Sequence, residues 1–93
     1  TALFCFNDRM AMGAYYALRQ LNLSIPGDVA VVGFDNQETV AAALNPGLST
    51  MELPHYEMGK WAFNYLMERI NQEADPQPIQ HIIECPYIER SSV

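Results

Sequence analysis

Val29-Ala30-Val31-Val32-Gly33-Phe34-Asp35-Asn36 runs six apolar or glycine residues, four of them β-branched or aromatic, into an acid and an amide. A run this short with that ending suits a strand buried on both faces of a parallel sheet. Where such a strand stops, its last polar side chains stand at the carboxyl edge of the sheet. Open α/β sheets take their ligands at that edge. Asp35 is therefore the first candidate for a ligand contact.

Upstream, Ala2-Leu3-Phe4-Cys5-Phe6 is a second short apolar run, closed by Asn7-Asp8. Either polar side chain can accept a bond from the first free N–H groups of a helix, so capping explains one of the pair. Residues 9–22 carry helical periodicity. Met10, Ala14, Leu18 and Leu21, with Ala17 beside them, form one apolar stripe expected to cover the sheet. Met12, Tyr15 and Tyr16 are expected on the opposite side, where a surface helix would be polar. A second apolar stripe points to a second burial surface, in this chain or in another subunit. Leu23-Ser24-Ile25-Pro26-Gly27-Asp28 reads as a turn, with Pro26 fixing φ and Gly27 free to take positive φ. Strand, helix, turn and strand in that order predict a right-handed βαβ unit. Its two parallel strands end at the same edge, which brings Phe6-Asn7 and Phe34-Asp35 to one rim.

Downstream, Gln37 to Leu44 reads as a short helix stopped by Asn45-Pro46-Gly47, and Leu48 to Leu53 as a strand. Pro54 suits the first turn of a helix that extends to about Asn71. Glu57, Lys60, Asn64, Glu68 and Asn71 share one narrow face of it. Apolar and aromatic residues occupy the rest, so the helix needs cover on two sides. Gln72 to Gln77 is a polar connector. Ile79–Cys85 and Tyr87–Arg90 read as strands, or as one strand bent at Pro86.

Ninety-three residues with ten aromatics make one small globular domain or a piece of a larger one. A start at Thr1, directly in a strand-like run, fits a fragment whose upstream part is missing. Net charge is −6 and the five Lys and Arg are scattered, which argues against a phosphate-binding surface on this segment. No apolar run approaches the ~20 residues that span a bilayer. Cys5 and Cys85 lie in or beside apolar runs and read as buried free thiols, with a disulfide as the alternative that only geometry decides. His55 and His81 have no ligand-like spacing, so no metal site is expected, and no nucleophile elbow, phosphate loop or dinucleotide fingerprint is present. Neither catalysis nor a cofactor is expected.

Asn7-Asp8 after a strand, Ile25 to Asp35, Leu48-Ser49-Thr50 and the closing Tyr87-Ile88-Glu89-Arg90-Ser91-Ser92 form an ordered set. It resembles the C-terminal part of the effector-binding domain of lactose/galactose-repressor-type transcription regulators, over the whole chain. The resemblance implies an α/β fold: a parallel-sheet, Rossmann-like lobe of periplasmic-binding-protein-like architecture. In it, 1–52 and 79–93 belong to the C-terminal lobe, and helix 54–71 packs on an N-terminal lobe otherwise absent. It implies a cytoplasmic repressor that binds a small-molecule effector, a sugar or else a purine, in an inter-lobe cleft through Asn7, Asp35 and Asp8. It implies a homodimer through helix 9–22, with Met12, Tyr15 and Tyr16 at the interface, and DNA binding through a head domain outside this chain. The alternative of the same architecture is a periplasmic-type sugar receptor serving transport.

Overall fold

The computed structural model describes residues 1–71 and 77–93, so most of the 72–77 connector lies outside the described residues. The elements are β1 (Ala2–Phe4), α1 (Asp8–Gln20), β2 (Ala30–Asp35), α2 (Glu38–Ala41), β3 (Ser49–Glu52), α3 (His55–Ile70) and β4 (Tyr87–Ile88). They form two compact units, Thr1–Leu53 with Cys85–Val93, and Pro54–Glu84.

In the first unit one sheet runs in the order β1-β2-β3-β4. β1, β2 and β3 are mutually parallel, with Phe4 opposite Val32, Gly33 opposite Thr50 and Asp35 opposite Glu52. β4 closes the sheet antiparallel to β3. The alternation along β2 is sharper than a strand covered on both faces would show. Val31 and Gly33 are buried, while Ala30, Val32 and Phe34 are half-buried. The side toward α1 holds the core: Ala11, Tyr15 and Leu18 of α1 against Val31, Ala41 and Leu48. Removing a side chain such as Leu48 or Val31 from water is worth about 1.5–3 kcal/mol.

Helix α1 starts on Asn7, whose Oδ1 accepts from the Met10 N–H at 2.8 Å. It stops where Asn22 takes φ 57°, with the Leu23 N–H reaching back to the Leu18 carbonyl at 2.9 Å. Its buried face is Asp8, Ala11, Tyr15 and Leu18. The expected sheet-facing stripe is therefore corrected: Met10 and Leu21 are exposed, and Tyr15 is 7% exposed in the core. A phenol ring reaches over the sheet further than the aliphatic pattern suggested. Met12 and Tyr16 do lie outside, at 50% and 69%.

Three local expectations also change. Gly27 does not adopt positive φ; an added Cβ there would meet Ser24 Oγ at 2.7 Å, so close approach is the constraint. α2 ends at Ala41 rather than Leu44. The chain from Cys85 onward rejoins the first unit through β4 and then through its closing residues. There the Ser49 N–H donates to Ser92 Oγ and the Ser92 hydroxyl to the Val31 carbonyl, at 2.8 and 2.6 Å. Segment 79–85, expected as a strand, is not among the strands of the described residues, and up to Glu84 it groups with α3 instead. Its Ile82 is almost fully exposed.

In the second unit, Trp61 and Tyr65 of α3 stack at 5.2 Å and His81 stacks on Trp61 at 4.6 Å. Arg69 donates to the Tyr65 hydroxyl and the Gln77 carbonyl, both at 2.8 Å. That ladder ties the segment after the connector to the helix. No residue of α3 is buried.

Candidate functional site

Parallel pairing brings the carboxyl ends of β1, β2 and β3 to one edge of the first unit. A hollow of about 400 Å³ opens there, lined by Phe4, Phe6, Asn7, Phe34, Asp35 and Leu53. Asn7 and Asp35, the two polar residues expected at the rim, both line it. Its walls are otherwise aromatic or aliphatic, and Phe6 is 79% exposed. Asn7 spends its Oδ1 on the helix cap; its amide N–H groups have no partner among the described residues.

The turn that follows β2 is left-handed at two successive residues, Asp35 with φ 95° and Asn36 with φ 49°. A non-glycine residue in such a conformation costs of the order of 1–3 kcal/mol and persists only where its surroundings hold it. Here they do. Arg90 donates to Asn36 Oδ1 at 2.9 Å and to the Leu48 carbonyl at 2.8 Å. The Gln37 N–H donates to Asp8 Oδ2 at 2.7 Å, and Gln37 Nε2 donates to Asp35 Oδ2 at 3.0 Å. Arg9 Nε in turn donates to Gln37 Oε1 at 3.3 Å. Asp35 Oδ2 keeps acceptor capacity beyond the Gln37 bond, whereas Oδ1 is buried without a hydrogen bond among the described residues.

Asp8 occupies a different position from the one expected of a ligand contact. It is 0% exposed, its Oδ1 accepts from the Thr50 hydroxyl at 2.6 Å, and its Oδ2 is taken by Gln37. The cap falls to Asn7, which frees Asp8 to turn inward and brace β3 and the Asp35 turn against the start of α1. Burial pushes its carboxyl above the ordinary range, and the Asp35 charge adds to that. The Thr50 and Gln37 donors oppose it. Gly33 makes room, because a Cβ there would overlap Asp8 Oδ1 and meet Leu48 Cδ2 at 2.9 Å.

Gln37, Thr50 and Gly33 are the site residues that sequence reasoning missed. Only Gly33 carried a local signal, since glycine inside a strand marks a close approach. Cys5 and Cys85 form no disulfide among the described residues and are half-buried rather than fully enclosed, and burial raises the Cys5 thiol above its usual range. Among the described residues no three His, Cys, Asp or Glu side chains gather as a metal site. No described helix is long and apolar enough to cross a membrane.

A mostly parallel sheet with helices, carrying a polar, aromatic-walled hollow at its strand ends, has the architecture of the periplasmic-binding-protein-like class. The family model for the periplasmic binding protein-like domain matches residues 1–93. The HTH-type transcriptional repressor PurR of Vibrio vulnificus is 48% identical over 73 residues, which is 78% of this chain and 22% of that protein. The solved transcriptional regulator CelR–cellobiose complex superposes with a TM-score of 0.88 at 32% identity, covering 99% of this chain and 28% of that one. A LacI-family transcriptional regulator from Enterococcus faecalis with bound ribose gives 0.85 at 33% identity, covering 99% and 34%. The chain belongs to the periplasmic binding protein-like domain family, as part of the effector-binding domain of a lactose-repressor-type regulator. It spans about a quarter of the length of the curated relatives it matches.

Proposed function

We propose that this chain is the ligand-sensing edge of a cytoplasmic transcription repressor that binds a small neutral molecule, a sugar before a purine, in an inter-lobe cleft. The observation that carries the reading is the convergence of Asn7 and Asp35 on one aromatic-walled hollow at the strand ends. Asp35 accepts from hydroxyl or ring N–H groups, the Asn7 amide donates, and Phe4, Phe6 and Phe34 offer flat surface to the apolar face of a ring. No Lys or Arg lines the hollow, so this edge does not favour an anionic ligand. The relatives solved with cellobiose and ribose favour a sugar. A nucleobase meets the same donor and acceptor pattern.

Helix 54–71 packs on a second lobe, and ligand held between lobes shifts their relative angle. The ligand acts only through its differential affinity for the two arrangements. A homodimer forms through α1, where Met12 and Tyr16 flank a shallow groove that Tyr15 also lines. DNA is bound by a head domain elsewhere in the polypeptide.

The test is a thermal-shift panel of sugars and nucleobases on the full-length protein, then calorimetric titration of the hit against Asp35→Ala. A hydrogen bond to a charged acceptor is worth about 1.5–3 kcal/mol, so affinity should fall by roughly 10- to 100-fold. An Asp35→Ala protein that titrates like the parent overturns the assignment. Sugar binding without any operator DNA binding identifies a transport receptor instead.

A further inference from the structure

We propose that Asp8 and Asp35 share one proton: Asp8 is the neutral acid and donates to the buried Oδ1 of Asp35, so the pair carries a single negative charge. The geometry begins with Gly33 and Asp35, which lie two apart on β2 and so share a face of the strand. The Asp8 carboxyl sits over Gly33, in the space a Cβ would fill. Gln37 then ties the two acids together, its backbone N–H on Asp8 Oδ2 and its side-chain amide on Asp35 Oδ2. That accounts for three of the four carboxyl oxygens, counting the Thr50 bond to Asp8 Oδ1. The fourth, Asp35 Oδ1, is buried with no donor.

A buried carboxylate oxygen left unpaired costs about 1–3 kcal/mol or more. Two ionised carboxylates bridged by the one Gln37, with Asp8 fully buried, cost more again. One proton removes both penalties, because a protonated carboxyl donates through its O–H and still accepts at its remaining lone pairs. The groups acting on Asp8 are Thr50, Gln37 and Asp35, with no cation among them to hold both acids ionised. The two guanidinium groups in the surrounding hydrogen-bond network bond other groups, Arg9 on Gln37 Oε1 and Arg90 on Asn36 and Leu48. The upward displacement of the Asp8 carboxyl agrees with the assignment. Asp8 is then a positioning residue: it pins one oxygen of Asp35 and leaves the other, charged, for the ligand. That consequence for binding rests on the proposed function; the shared proton does not.

The experiment is a carbon-13 NMR titration of the ligand-free, full-length protein. The Asp8 carboxyl carbon is assigned through its own side chain and followed from about pH 3 upward, past the ordinary Asp value near 3.9. Asp28, held low by two Ser24 bonds, is the internal control. Asp8 should keep its proton well after Asp28 has ionised. In Asp35→Asn the Asp8 midpoint should move to lower pH, because the anion that favoured the proton has gone. Asp8 ionising together with Asp28 in the parent protein overturns the proposal, even where Asp35→Asn fails to fold. An unmoved midpoint in a folded Asp35→Asn overturns it too. Since no ligand is present, failure of the ligand reading leaves both results standing.

Discussion

Replacing Gly33 by alanine tests the brace beneath the candidate site. Gly33 has negative φ, so alanine meets no backbone penalty, and the smaller freedom of its unfolded chain favours folding by about 0.4–1 kcal/mol. Against this, the new methyl overlaps Asp8 Oδ1 and presses Leu48 Cδ2. Both neighbours are fully buried, so neither can swing into solvent. Overpacking of that kind costs about 1–3 kcal/mol. Displacing the Asp8 carboxyl also strips the Gln37 N–H of its acceptor, a further ~1–3 kcal/mol. The net loss is about 1–5 kcal/mol. At ~2–4 °C per kcal/mol, the scale for a domain of about 150–250 residues, that lowers Tm by roughly 2–20 °C.

Scanning calorimetry measures the loss, and a double-mutant cycle assigns its cause. Once Asp8→Ala has removed the carboxyl, the Gly33 methyl has half its obstacle gone. The double variant should therefore be more stable than the sum of the single losses, by ~1 kcal/mol or more. A Gly33→Ala protein melting with the parent, or an additive cycle, refutes the argument that Asp8 and Gly33 fit one another.

Three further outcomes are expected. The Asp8 carboxyl titrates higher in the folded protein than in the unfolded chain, so its stabilising effect is complete below the ordinary carboxylate range and is lost as pH rises through its folded value; the melting temperature of the parent relative to Asp8→Asn should fall over that window, and a difference flat with pH counts against it. Asn7→Ser keeps a capping oxygen but deletes the amide, so melting should change by less than about 0.5 kcal/mol while effector affinity drops, whereas Asn7→Ala should also lose ~1 kcal/mol of stability. Met12→Glu with Tyr16→Arg alters only exposed side chains of α1; sedimentation velocity should show a monomer whose melting, extrapolated to infinite dilution, matches the parent.

The rim of the site was legible because it follows from topology. Two parallel strands joined through a helix must end at one edge, and the residues that close their apolar runs are necessarily neighbours there. The inward role of Asp8 was not legible, since Asn and Asp are interchangeable as caps and nothing local says which of Asn7 and Asp8 turns away. What settles it is long-range: Thr50 stands opposite Gly33 in register, and only that pairing delivers a hydroxyl to the carboxyl lying over the glycine. Tyr15 failed for a related reason. Helical periodicity ranks positions by angle, but the helix turns to bury whichever set fits the surface below it. Here the buried set is Asp8, Ala11, Tyr15 and Leu18, with the Asp8 carboxyl lying over Gly33. Segment 79–85 shows the converse limit: an apolar run is a strand only when another strand offers it a ladder, and here, among the described residues, the ladder goes to Tyr87–Ile88. The hollow follows the same logic: Asp35 and Asn7 fix where hydrogen bonds point because their strands end side by side, and the phenyl groups that close the same apolar runs fix a flat wall beside them.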